Sequence, residues 1–342
     1  MFSFENDYSE GACESVLKAL VAVNNEQNTG YGLDKYSIKA GEMIKNLVGN
    51  ENAAVHFITG GTPCNVTVIS LLKSYEAVIC VKSGHINVHE TGGPEATGHK
   101  IIAVEGKDGK ILPEEIEEIV LTHPDEHTVK PKMVFISDST EVGTIYTKAE
   151  LEAISEVCKK YNLYLYLDGA RLGAALMASG NDLTLKDIAA LTDIFYIGGT
   201  KNGLLLSEAV VILNDDLKEN FRYSIKQHCS MLAKGWISGV QFLAVFKDNI
   251  YFKNAKNADV MAQALANVFR HFDIPLYIDS PTNQIFPILE NSVLEKIQEK
   301  YVVSVWGKYD ETHTITRFCC SWATKKENIE DFYRDLRTIT RG

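Results

Sequence analysis

The sequence predicts an α/β fold, a large domain with a mostly parallel sheet flanked by helices, followed by a smaller C-terminal α+β domain. Three observations carry this. Short apolar runs alternate with helical stretches up to about residue 240. Four of these runs end in similar loops: Thr59-Gly-Gly-Thr62, Ser137-Asp-Ser-Thr-Glu141, Asp168-Gly-Ala-Arg171 and Gly198-Gly-Thr-Lys201. Beyond residue 240 the order changes to a long helix, several short strands and a final helix. The expected division is 1–240 for the large domain, with an N-terminal arm, and 241–342 for the small one. A chain of 342 residues suits it.

Taken in order, residues 14–24 have helical spacing, with Val16, Leu17, Leu20 and Val23 on one face. A polar segment containing Tyr31-Gly32 leads to a helix over 37–47. Residues 53–58 form a strand. Thr59-Gly-Gly-Thr-Pro-Cys-Asn65 then turns into a helix over 66–72, and Pro63 suits a first helical turn because its missing N–H costs nothing there. Strands follow at 77–81, 100–104, 133–137 and 163–167, with helices from 113 and over 148–161. Apolar runs at 193–197 and 208–213 flank Lys201. In the second unit a helix over 256–272 precedes strands near 275–278, 284–287, 302–306 and 314–320, and a helix from 326 to about 340 ends the chain.

Composition narrows the function. A net charge of −11 argues against a general nucleic-acid binder and against a polybasic membrane surface. No apolar run has the length of a membrane span, and Met1 to Asp7 lacks a signal-peptide pattern. The seven cysteines are odd in number, without a CxxC pair, and several lie in apolar runs. They read as reduced core residues in a cytoplasmic protein. The sequon Asn65-Val-Thr67 has no meaning there. His85 and His89 have metal-ligand spacing on a helix, but Gly84, Gly92 and Gly93 argue for a loop and HExxH is absent, so no metal site is expected.

Lys201 is the reactive candidate. Strand ends of open α/β sheets face the ligand crevice, and a desolvated lysine there can form a Schiff base. Alone, the better reading is a surface lysine in a Gly-rich turn; the other loops decide. Thr59-Gly-Gly-Thr62 opens a helix and suits a single phosphate, being neither a Walker loop nor GxGxxG. It is also simply a helix start. Asp168 and Arg171 are either an ion pair or a carboxylate and a guanidinium aimed at a bound molecule.

Together these segments resemble the low-specificity threonine aldolases, in the β-eliminating lyase group of fold-type-I pyridoxal-phosphate enzymes. Phe4-Glu-Asn-Asp7, Tyr31-Gly32, Gly84-His-Ile86 with Glu90, Ser139-Thr-Glu141, Glu208-Ala-Val210 and Arg317 before Ser321-Trp-Ala-Thr324 extend the resemblance over nearly the whole chain. It implies retro-aldol cleavage of threonine, allo-threonine or a related β-hydroxy-α-amino acid to glycine and an aldehyde. By the same resemblance, Lys201 would carry pyridoxal 5'-phosphate as a Schiff base, Asp168 would hold the ring nitrogen and His85 would stack on the ring. Gly61, Thr62 and Thr200 would hold the phosphate. Arg171 and Arg317 would clamp the substrate carboxylate, with Asn6, Glu90 and Thr140 as further substrate contacts.

Two departures stand out. Many family members have serine where Asn6 stands, and the usual arginine is missing around Leu232-Ala-Lys-Gly-Trp236, where Lys234 or Arg222 is the substitute. The resemblance also implies a homodimer or homotetramer with sites at the subunit interface, where Tyr31, Lys234 and Arg222 are candidates to reach across. The alternatives are another pyridoxal-phosphate activity, β-elimination or transamination, and a non-catalytic protein of the same fold.

Overall fold

The computed structural model describes residues 1–341. Its centre is a seven-stranded sheet of β2 (Ala54–Ile58), β3 (Glu76–Val81), β4 (Lys100–Val104), β5 (Lys130–Ser137), β6 (Tyr164–Asp168), β7 (Ile194–Gly198) and β8 (Glu208–Ile212), in the order β2-β8-β7-β6-β5-β3-β4. The pairs from β4 to β7 are parallel, while β8 is antiparallel to both β7 and β2. The connections explain this. Helix-bearing crossovers return the chain to a parallel start, whereas the link over 199–207 is too short for one and reverses the strand.

Every residue of β3, β7 and β8 is buried, as expected of strands covered on both faces. The pleat sends Leu165, Leu167, Phe195 and Ile197 into one core and Tyr166, Ile194 and Tyr196 into the other. The two tyrosines therefore lie beneath the Asp168 end of β6. Tyr166 packs edge-on against Phe135, with ring centroids 5.5 Å apart.

The C-terminal part holds β9 (Gln284–Ile285), β10 (Ile288–Glu290), β12 (Ser304–Lys308) and β13 (His313–Cys319), paired antiparallel around β13. The first strand, β1 (Phe2–Ser3), belongs with this part, pairing in parallel with β11 (Tyr301–Val302). Phe4 is fully buried there among Tyr301, Phe318 and Phe332. The N-terminal arm thus crosses the division placed at residue 240. A helix over Ile250–His271 lies beyond that position yet packs on both parts. Tyr251 at its start donates to Gly198 O at 2.9 Å, and Leu265 and Phe269 near its end lie in the C-terminal core.

Several expected boundaries move. The helix after the Thr59 loop starts at Gly61 rather than Val66, because the glycine itself adopts helical geometry with Pro63 in the first turn. The long helix begins at Ile250, six positions before the expected start. Residues 275–278 form no strand, only the bridge Leu276↔Pro287. His85–Val88 is a helical turn where the neighbouring glycines suggested a loop; Gly84 and Gly92 mark flanks of the short turns rather than their interiors.

Candidate active site

Lys201 sits in a 3₁₀ turn, Thr200–Asn202, directly after β7. The turn is held from two sides. Gly199 N–H donates to Glu208 Oε2 at 2.6 Å, and Asn202 Nδ2 donates to Tyr251 O at 2.8 Å. Burial raises Glu208 to about 7 against the opposing hydrogen bonds from Thr200 and Gly199. Burial, then the nearby Arg171 guanidinium, pulls the Lys201 amine below its ordinary range, although Asp7, Asp168 and Glu208 oppose. A larger neutral fraction makes this amine a better nucleophile.

The Asp168 loop packs directly on the lysine loop. Gly198 N–H donates to Gly169 O at 2.9 Å, and a Cβ at residue 169 would stand 1.8 Å from Tyr196 O, so only glycine fits. Asp168 is buried. Its Oδ1 accepts from Ala170 N at 2.9 Å and from the Tyr196 hydroxyl, and its Oδ2 accepts from Asn65 Nδ2 at 3.0 Å. The same Asn65 nitrogen donates to Glu90 Oε1 at 2.6 Å, which lies 2.7 Å from His85 Nδ1. On the other side of His85, its backbone N–H donates to Glu141 Oε1 at 2.9 Å. Burial raises both Glu90 and Glu141, and each keeps one buried oxygen without a partner. The His89 ring lies 5.5 Å from His85 and 6.2 Å from Trp306.

The N-terminal arm joins the two arginines. Arg171 donates through Nε and Nη2 to the two oxygens of Asp7, at 2.7 and 3.0 Å. Arg317 donates through Nη2 to Glu5 O at 3.3 Å, lies over the Trp306 ring at 5.3 Å, and leaves its buried Nε without a partner. Burial opposes ionisation of Asp7, yet Arg171 and Lys201 hold it down at about 2. Asp7, Arg171, Lys201, Asn202 and Asn283 share a small cavity.

The remaining predicted residues fall differently. Gly61 and Thr62 open the helix Gly61–Ile69, whose N-cap, Gly60, makes no side-chain cap, so their N–H groups point out of an uncapped end. Gly61 lies against the Tyr196 hydroxyl, close to the Asp168 network. Thr200 receives the Ser207 N–H at 3.2 Å. Asn6 Oδ1 accepts from Tyr8 N and Ser9 Oγ, leaving its amide nitrogen. Thr140 is fully buried with its hydroxyl 2.7 Å from that of Thr144, so it is spent within its own loop. Lys234 is exposed on the segment that carries Gly235. A cavity of about 420 Å³ lies away from Lys201, beside the edge strand β2, and is lined by Tyr31, His56, Arg222, Met231 and Gly235. The chemistry, not the volume, marks the site.

The family model of beta-eliminating lyases matches residues 4–292. This chain belongs to the beta-eliminating lyase family. As a member it is an enzyme of the lyase class. It is 30% identical to a low specificity L-threonine aldolase of Pseudomonas aeruginosa, over 98% of this chain and 97% of that protein. It superposes on the Leishmania major threonine aldolase with a TM-score of 0.98 at 44% identity, covering 99% of this chain and 100% of that one. At 12% identity, a putative histidinol-phosphate aminotransferase of Erwinia carotovora shares the fold, with a TM-score of 0.76 over 99% of this chain and 96% of that one.

Within this lyase-family site, sequence reading gave no role to Asn65 or Tyr196 and cited Asp7 only as part of Phe4-Glu-Asn-Asp7. Asn65 stood in plain view three residues past Thr62, read as a sequon. Its signal was position: it lies one turn into the helix that starts at the crevice.

Proposed function

We propose that this lyase-family enzyme cleaves L-threonine, L-allo-threonine or a related β-hydroxy-α-amino acid to glycine and an aldehyde, with pyridoxal 5'-phosphate as cofactor. One observation carries the reading: a lysine amine of lowered basicity stands beside a hydrogen-bonded buried aspartate and a pair of arginines tied together by one arm. Pyridoxal phosphate, when bound, supplies an electron sink for the substrate's α-carbon.

The residues present fit that cofactor. Lys201 would hold its aldehyde carbon. Asp168 Oδ2 accepts only one hydrogen bond, and its second lone pair suits a ring N–H. His85, with a third of its side chain exposed, would cover the ring face. The uncapped N–H groups of Gly61 and Thr62 would seat the phosphate, with the Thr200 hydroxyl joining them on turning from Glu208. Lys234 of a second copy would add a positive charge there.

The orphaned Arg317 Nε and the unused N–H groups of Arg171 suit a substrate carboxylate, with the spare Asn6 amide beside them. Fixing that carboxylate sets which bond at the α-carbon is cleaved. Glu90, His85 and Glu141 form one cluster beside the Asp168 network, and His85, its exposed member, would receive the β-hydroxyl proton with Glu90 behind its Nδ1. Thr140 would act through the shape of its loop.

The working form is a homodimer or homotetramer with sites at the interface. The exposed apolar residues Leu17, Val21, Tyr31, Leu33 and Ile38, and the cavity lined by Tyr31 and Arg222, support a facing copy. Six of the seven free cysteines are buried, in keeping with a reducing, cytoplasmic setting. Among the described residues no helix is long and apolar enough to cross a membrane.

The test is product analysis with threonine on cofactor-loaded protein. Glycine plus acetaldehyde is expected. Ammonia plus a keto acid would replace this reading with elimination, and no Schiff-base absorption on adding pyridoxal phosphate, with Lys201→Ala changing nothing, would end it.

A further inference from the structure

A chain of four side chains runs under the site: Asp168, Asn65, Glu90 and His85. Asn65 is its centre. The residue is fully buried one turn into the helix Gly61–Ile69. Its Nδ2 reaches Glu90 Oε1 at 2.6 Å and Asp168 Oδ2 at 3.0 Å, and its Oδ1 faces the Tyr166 hydroxyl at 2.6 Å. Two carboxylates can share only a donor, so the amide has one workable orientation. Both N–H bonds are committed, one to each acid. His85 Nδ1 stands 2.7 Å from the Glu90 oxygen that Asn65 also contacts.

From this geometry we infer that Asn65 is a positioning residue that keeps Glu90 and Asp168 both as hydrogen-bond acceptors. Glu90 as an acceptor takes an N–H from His85 Nδ1, the tautomer that leaves Nε2 as the nitrogen without a proton. Asp168 as an acceptor keeps its free lone pair for a donor above it. One amide therefore sets the proton placement of two groups that would contact the cofactor from different sides. Without that donor, the low-polarity interior favours protonating one acid. If Glu90 takes the proton, its O–H donates to His85 Nδ1 and the imidazole proton moves to Nε2. If Asp168 takes it, the acceptor for the ring nitrogen is lost.

The inference rests on the proposed cofactor, so the test has one arm that needs the cofactor and one that does not. Asn65→Asp keeps the shape and replaces the amide with a third carboxyl. Asn65→Leu removes the donors without adding charge. A packing role predicts that the near-isosteric Asn65→Asp is tolerated; the relay predicts that it is the worse of the two. In the first arm, pyridoxal phosphate affinity is read from the visible absorption at pH 8. Asn65→Leu is expected to weaken it about 10-fold and Asn65→Asp about 100-fold, the scale of stranded buried polar groups.

In the second arm, solid-state ¹⁵N spectra of histidine-labelled protein without cofactor read the His85 tautomer, assigned by difference from His85→Gln. Wild type is expected to carry the proton on Nδ1 and Asn65→Asp to shift it toward Nε2. Asn65→Asp within twofold of wild type in affinity, with the Nδ1 tautomer kept, overturns the inference. Should Asn65→Asp fail to fold by thermal melt, the Leu variant decides by the same two readings. If wild type itself binds no pyridoxal phosphate, the proposed function falls, and the tautomer arm still decides whether Asn65 acts on His85.

Discussion

Asp7 and Arg171, 164 positions apart, face each other through two hydrogen bonds of 2.7 and 3.0 Å, with the aspartate almost wholly buried. Glu5, two residues earlier, offers its carbonyl to Arg317. The N-terminal arm therefore does more than extend a sheet: it sets the spacing of the two arginines proposed to read the substrate.

Removing the arm's charge tests this. Asp7→Asn leaves a buried guanidinium without its counter-charge, which costs about 3 kcal/mol where one partner of a buried pair is lost. Urea unfolding at pH 7 measures that loss. KM for threonine is expected to rise more than kcat falls, because the orientation of Arg171 is a binding term.

The same pair has a pH signature. Asp7 is held at about 2, below its ordinary 3.8. A depressed carboxyl contributes stability above the unfolded value and loses it as pH falls through the folded value. Wild type is expected to lose about 2 kcal/mol between pH 4 and pH 2 from this group. Asp7→Asn should show a shallower slope across that window in acid-dependent urea unfolding.

Glu208 works in the opposite direction. Burial raises it to about 7 from 4.5. A raised carboxyl contributes most below its unfolded value, and that contribution is lost as pH rises through about 7. Glu208→Gln keeps an acceptor for Gly199 N–H without the titration. It is expected to flatten the fall in stability between pH 5 and pH 8, seen as a Tm that no longer drops across this range. A variant still declining like wild type would place the titration elsewhere.

Arg317→Lys separates fork recognition from simple charge. The guanidinium lies over Trp306 with Nε free, an arrangement that an ammonium cannot reproduce. A rise in KM of about tenfold with kcat within threefold is expected from steady-state kinetics, on the scale of one lost charge-assisted hydrogen bond. Equal KM values would remove Arg317 from carboxylate binding.

By itself the sequence determined the alternating α/β architecture, the four polar strand-end loops and the placing of Lys201 directly after a buried strand. Each of these is local: an apolar run, a glycine turn and a charged residue lie within a dozen positions and follow from backbone periodicity and turn chemistry. The helix start at Gly61 was legible only roughly, because a glycine's helical geometry is settled by its surroundings. The tertiary structure decided the partners. Asp168 and Arg171 are three residues apart yet do not pair; Asp168 takes Asn65 and Tyr196, and Arg171 takes Asp7. Thr140, placed at the substrate by resemblance, has its hydroxyl against that of Thr144. Buried polar groups must find a partner at about 3 Å, and which partner comes that close depends on how distant segments pack, information that no short stretch of chain contains.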